Sequence, residues 1–133
     1  MTEATIISRK RLWTGYALSG LTTIFLLFDA TMKLFKPVFV VKAAVDLGYP
    51  ESTIVGIGTV LLCSTLLYVF PRTSVLGAVL LTGYLGGAVA SNVRAATPLF
   101  NVLFPIISCS LVWAGLLLRD KRLEALLPLR SKA

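Results

Sequence analysis

Four apolar blocks, Leu12–Leu34, Ile54–Phe70, Val75–Val93 and Leu99–Leu118, make up most of this 133-residue chain. A helix of about 17–25 mainly apolar residues crosses the hydrocarbon of a bilayer, and each block has that length. Hydrocarbon offers the backbone no water, so only helices and closed barrels satisfy every N–H and C=O there. The blocks do not alternate polar and apolar residues with period two, which argues against a barrel. The sequence therefore predicts an all-α fold: an integral membrane four-helix up-and-down bundle, one domain over residues 1–133. Composition agrees, since 14% of residues are charged and 56% are hydrophobic. A soluble domain carries roughly 25% charged residues to coat its surface.

Arg9, Lys10 and Arg11 precede the first block, as they would a signal peptide. A signal core is only about 7–15 residues and ends in a small-residue cleavage site. The first block is longer and ends in DATMKLFK, so it is read as a retained helix with Trp13 and Tyr16 anchoring it at the headgroups. Pro37 forbids a regular continuation. The segment VFVVKAAVDLGYP then places apolar residues at helical spacing with Lys42 and Asp46 four apart. It predicts a short amphipathic interfacial helix between helices one and two, closed by the LGYP turn. FPRT is a tight turn in which Thr73 or Ser74 can cap the third helix, and Thr97–Pro98 supplies an N-cap and a first helical residue for the fourth. Links this short force antiparallel neighbours.

Net charge is +7. An even number of spans puts both termini on one side, together with Arg9, Lys10, Arg11, Arg72, Arg119, Lys121, Arg122, Arg130 and Lys132, nine of the thirteen cations. Lys33, Lys36, Lys42 and Arg94 lie on the other. The positive-inside rule then predicts both termini in the cytoplasm. No aromatic-plus-basic pattern points to nucleic acid.

The stretch GYLGGAVASNVR shifts from small apolar residues to a polar end within one span. Gly83, Gly87 and Ser91 recur every fourth residue and form a flat ridge. Such ridges let membrane helices pack backbone to backbone, and helix packing is the reading preferred for these three. The alternative is space left against bare backbone for a ligand or lipid. Asn92 and Arg94 end the same helix. Asp29 sits roughly 8 Å before the end of helix one at 1.5 Å per residue. An ionisable group at that depth is costly and faces the bundle, paired. Lys33, four residues on, is its natural partner. Pro105 inside helix four removes a backbone bond to Asn101. Asp29, Lys33, Asn92, Arg94 and Asn101 thus fall in the outer half of the bundle and can converge on a polar ligand-binding pocket. Tyr84, two turns inward of Asn92, can form its floor, but a hydrogen bond to a neighbouring helix is the reading preferred for it. A self-satisfied network that fixes helix register is the reading preferred for these residues, and a ligand or proton site is the alternative.

Cys63 and Cys109 fall at similar depth in helices two and four, yet there is no CxxC, and buried thiols are mostly inert packing residues. The chain has no histidine, which removes the commonest metal ligand and general base. No phosphate loop, dinucleotide fingerprint, nucleophile elbow or zinc spacing is present, so no metal is expected. Asp29 is the sole carboxylate within a span and is the one candidate for catalytic acid–base work.

The runs DATMKLFKP, LGYP, LLYVFPRTSVLGAVLLTGYLGGAVASNVR, PLFNVLFP and WAGLLLRDKRL resemble the DoxX-like family, over nearly the whole chain after residue 12. The resemblance implies a four-helix inner-membrane protein of bacteria. The family name derives from a small subunit linked to thiosulfate:quinone oxidoreduction, so a quinone is implied as a possible cofactor. Relatives often carry a histidine in the segment where this chain has Asn92, and chemistry resting on that histidine does not transfer. Asp29, Lys33 and Arg94 match the family's pattern. The expectation is an accessory membrane protein that binds a small amphiphile, a lipid, a quinone-like molecule or a partner subunit in the outer pocket, with a homo-oligomer as a further possibility. The alternatives are a membrane-embedded oxidoreductase subunit or enzyme acting on a lipid-soluble substrate with Asp29 as acid or base, and a small transporter.

Overall fold

The structure is a computed structural model that describes residues 9–120 and Leu123. Lys121, Arg122, Arg130 and Lys132, which entered the charge count, lie outside the described residues. The described chain forms α1 (Arg9–Phe35), α2 (Val38–Asp46), a 3₁₀ turn (Glu51–Thr53), α3 (Ile54–Val69), α4 (Ser74–Arg94) and α5 (Leu99–Arg119), with no strand among the described residues. Among the described residues four segments are long and apolar enough to cross a membrane: α1, the 3₁₀ turn continued by α3, α4 and α5. Arg9, Lys10 and Arg11 are already helical, so these cations lie within the first helix instead of preceding it.

The long helices run up and down. α1 packs on α3 and α5, and α4 packs on α3 and α5. α1 and α4 therefore face each other across one diagonal of the bundle, and α3 and α5 across the other. The interior holds Leu26, Ala30, Leu61, Tyr68, Ala78, Leu81, Val112 and Leu116 together with hydroxyl residues Ser19, Thr22, Ser64, Thr65, Ser74 and Ser108. The outer faces carry Leu21, Ile24, Phe28, Val60, Leu66, Leu76, Val79, Ile106 and Ile107, all exposed. A greasy outside around a partly polar inside suits lipid as the solvent. Buried hydroxyls are satisfied within their own helices: Thr22, Ser64, Thr65 and Ser108 each donate to the carbonyl four residues back. Tyr68 ties three helices together, donating to the Val112 carbonyl of α5 at 2.7 Å and sharing a 2.9 Å bond with Ser19 of α1.

Close helix approach comes from glycines other than the expected ridge. A Cβ at Gly77 would overlap the backbone of Leu67 and Tyr68, and one at Gly115 would overlap Ser19. At Gly15 it would come within 2.7 Å of Arg119. Gly58 lets α3 approach α1 beside Lys33, where an added Cβ would lie 2.8 Å from the Lys33 Cβ.

The turns also differ from the expected caps. Thr73 and Ser74 make no side-chain cap to α4. Their hydroxyls bond backwards to the ending helix, Thr73 to the Leu67 carbonyl at 2.6 Å and Ser74 to those of Tyr68 and Phe70 at 2.8 and 2.9 Å. The last carbonyls of a helix have no intrahelical donor, and a turn this tight supplies those hydroxyls instead. Thr97 likewise does not cap α5. It turns back to bond the Asn92 side-chain oxygen at 2.9 Å.

Candidate functional site

α1 ends on Lys36 in the left-handed region (φ 54°), whose N–H bonds the Met32 carbonyl at 2.9 Å before Pro37 stops the helix. α2 then crosses the end of the bundle with no buried residue of its own. Its Lys42 and Asp46, four apart, are both exposed. It closes through Gly48 (φ 94°): the Gly48 N–H bonds Val45 and the Tyr49 N–H bonds Ala44, the paired bonds of a Schellman motif. That turn aims Tyr49 back at α4, where its hydroxyl meets Ser91 Oγ at 2.5 Å. The end of α4 uses the same motif, with Ala96 at φ 55° and the Thr97 N–H on the Asn92 carbonyl.

Beneath α2 lies a cavity of about 630 Å³, to which all four spans contribute. α1 supplies Phe25, Leu26, Asp29 and Lys33. α2 and its turn supply Phe39, Val40, Ala43, Ala44, Leu47 and Tyr49. α3 gives Ile54 and Ile57, α4 gives Gly83, Tyr84, Leu85, Gly87, Ala88, Ser91 and Asn92, and α5 gives Phe104, Pro105 and Ser108. Helical spacing explains the sharing: Leu26, Asp29, Ala30 and Lys33 lie along one face of α1, and Tyr84, Ala88, Ser91 and Asn92 along one face of α4. Phe25 and Phe104 pack edge to face, centroids 4.9 Å apart, and join α1 to α5 at the cavity wall.

A few polar groups interrupt an otherwise apolar chamber. Lys33 Nζ donates to Asp29 Oδ1 at 2.6 Å. Their side chains retain 22% and 35% of their exposure, and both residues line the chamber. Asn92 donates to the Ala88 carbonyl at 2.8 Å and accepts from Thr97, so its amide is spent on α4 and its turn. The Tyr84 hydroxyl has no hydrogen-bond partner among the described residues, and Tyr84 lines the chamber together with Asp29 and Tyr49.

Asp29, Lys33, Tyr84 and Asn92 thus share one chamber, while Arg94 and Asn101 stand outside it. Arg94 is exposed and donates to the Leu47 carbonyl, because the open C-terminus of α2 presents unbonded carbonyls beside it. Asn101 is exposed in the first turn of α5, three residues after the turn at Pro98, and does not line the chamber. The packing role expected of Gly83 and Gly87 is corrected too: a Cβ at either meets nothing within 4 Å, because both face the chamber rather than another helix. Ser91 is buried on the same face and donates to the Gly87 carbonyl. Tyr49 and Ser108 were not singled out from sequence. The LGYP turn pointed to Tyr49 only as punctuation, and Ser108, four residues after Phe104, is one of many serines in these spans. Cys63 is exposed on α3 and Cys109 contacts Thr82 on the α4–α5 side, so the two thiols sit on opposite members of a diagonal and are both free. No cluster of metal-ligating side chains occurs among the described residues.

Neither a curated protein nor a solved structure matches this chain. A sequence model of one family does, over residues 17–115, which takes in α3, α4, the cavity and most of α1 and α5. The chain is a multi-pass membrane protein of the DoxX-like family.

Proposed function

We propose that this protein binds a small amphiphile, lipid-like or quinone-like, in the chamber under α2. The observation that carries the reading is the chamber's form: about 630 Å³ of mostly apolar wall interrupted by a few polar groups, Asp29, Lys33, Tyr49 and Tyr84 among them. Ligand sites in proteins run to roughly 300–1,000 Å³, with apolar lining and few polar groups that fix orientation. The bare backbone at Gly83 and Gly87 supports it, because it keeps space open where any side chain would intrude. Asp29 and Lys33 are the ligand-facing polar groups in this reading, and Asn92 serves by shaping the wall.

The same reading places the protein in a bacterial inner membrane with both termini in the cytoplasm. Support comes from the charge asymmetry of the sequence, nine cations on the terminal side against four on the α2 side. The chamber then opens toward the outer leaflet. A periplasmic reporter enzyme fused to the C-terminus stays inactive on this topology, and an active fusion overturns it.

Occupancy is tested by native mass spectrometry of protein extracted in mild detergent. Wild type carries a bound amphiphile, and Gly83→Leu, which fills the chamber from its wall, loses it while retaining its melting temperature. A wild type that is empty under every mild extraction, with Gly83→Leu indistinguishable from it in cells, removes the binding function.

A further inference from the structure

The hydrogen bonds of the chamber's polar groups leave a specific remainder. Ser91 is engaged with Tyr49 and the Gly87 carbonyl. Asn92 is engaged with Ala88 and Thr97, and Ser108 with Phe104. Asp29 spends Oδ1 on Lys33, and no partner for Oδ2 exists among the described residues. The Tyr84 hydroxyl is unpartnered as well. One carboxylate oxygen that can only accept and one phenol that can donate therefore face the same space, beside the spare N–H groups of the Lys33 ammonium.

Charge narrows the choice of head group. Asp29 and Lys33 neutralise each other at 2.6 Å. A charged ligand head at this depth needs a counter-ion, and each candidate counter-ion is already held by the other. An anionic head that takes a spare Lys33 N–H sits beside the Asp29 carboxylate, and a cationic head that takes Asp29 Oδ2 sits beside the Lys33 ammonium, so either charge meets a like charge at the pair. A neutral head that both donates and accepts leaves the pair intact and completes the bonds left over. A hydroxyl is the smallest such group.

Resting on the amphiphile reading above, we infer that the chamber selects an uncharged, hydroxyl-headed amphiphile, an alcohol or phenol whose O–H donates to Asp29 Oδ2 and accepts from the Tyr84 hydroxyl. The apolar remainder of the ligand lies against Phe25, Ile57, Gly83 and Phe104.

The test uses the full chain in detergent, stripped of bound amphiphile, and four probes of equal chain length: hexadecanol, hexadecyl methyl ether, hexadecanoate and hexadecylammonium. Affinity is read by native mass spectrometry and by the shift in melting temperature. Hexadecanol binds about tenfold more tightly than the ether, which accepts but cannot donate, and more tightly than either ion. Tyr84→Phe removes the donor and weakens hexadecanol several-fold, with less effect on hexadecanoate. The ranking of probes on wild type needs no variant, so a poorly folding Tyr84→Phe leaves the inference falsifiable. Equal binding of alcohol and ether overturns it, as does preference for either ion, and in both cases the amphiphile reading survives. Failure of all four probes, with nothing bound as extracted, ends both.

Discussion

The guanidinium of Arg94 donates to the carbonyl of Leu47 at 2.5 Å, joining the last residue of α4 to the cap of α2 across 47 positions of sequence. The neighbouring Gly48 makes this approach possible twice over. Its φ of 94° suits a residue without a Cβ, and a Cβ there would stand 2.8 Å from the Arg94 guanidinium. With the Tyr49–Ser91 bond, this contact fixes to α4 a helix that buries none of its own residues. A cation expected among the chamber's polar groups is instead the fastening of its roof.

Removing that fastening has a local signature. In Arg94→Ala the amide hydrogens of residues 38–49 exchange about fivefold faster, for a loss of about 1 kcal/mol in a charge-assisted bond at an exposed site. Exchange within α3 and α5 is unchanged. Hydrogen-exchange mass spectrometry of the two proteins makes the comparison. Uniform acceleration through all helices means that Arg94 supports the whole bundle and not the roof.

Asp29 contacts Lys33 and not Arg94, so two double-mutant cycles part company. Asp29→Asn with Lys33→Gln shows a coupling of at least about 0.5 kcal/mol, modest because both side chains are partly exposed to the chamber. Asp29→Asn with Arg94→Gln is additive. Equilibrium unfolding in mixed micelles supplies the four stabilities for each cycle. Coupling in the second cycle contradicts the placement of Arg94 outside the chamber.

Cys63 and Cys109 give a test of the helix order. α3 and α5 are diagonal, so a mild oxidant forms no bridge between these thiols. A lipid-soluble maleimide modifies Cys63, which is exposed, faster than Cys109, which is partly covered beside Thr82. A mass decrease of two hydrogens on oxidation of the monomer places α3 against α5 and refutes the order described.

What sequence shows of such a protein is depth, and what it hides is direction around the helix axis. Length and hydropathy locate the four spans and the interfacial helix Val38–Asp46, because crossing a bilayer sets a span's length. They put Asp29, Tyr84 and Asn92 at the right level for the same reason. Azimuth is harder. In water an amphipathic stripe tells inside from outside, but here the lipid face and the core are both apolar, so the side on which Gly83 and Gly87 lie leaves no trace in hydrophobicity. The reach of Arg94 is hidden similarly, since a long flexible side chain at a helix end can turn either way, and its acceptor is a backbone carbonyl that no residue type announces. Tyr49 acts only through the left-handed turn at Gly48, whose aim is a tertiary property.

The glycines turn that difference into a measurement. Gly77 and Gly83 lie in the same helix, six residues apart, and look alike in sequence. An alanine methyl at Gly77 overlaps the backbone of Leu67 and Tyr68, which cannot move without shifting α3. Overpacking of this kind costs about 1–3 kcal/mol. An alanine methyl at Gly83 or Gly87 meets open space, and the stiffer backbone stabilises the helix by up to about 1 kcal/mol. Gly77→Ala and Gly115→Ala therefore melt below wild type, whereas Gly83→Ala and Gly87→Ala melt at or above it. The second pair also shrinks the chamber, so stability and ligand retention change in opposite senses, as they do when a binding site keeps empty volume at the expense of packing. Thermal melts in one detergent, scored beside the amphiphile retained by each variant, separate the two classes. If Gly83→Ala destabilises as much as Gly77→Ala, the ridge is a helix-packing surface after all and the chamber wall lies elsewhere.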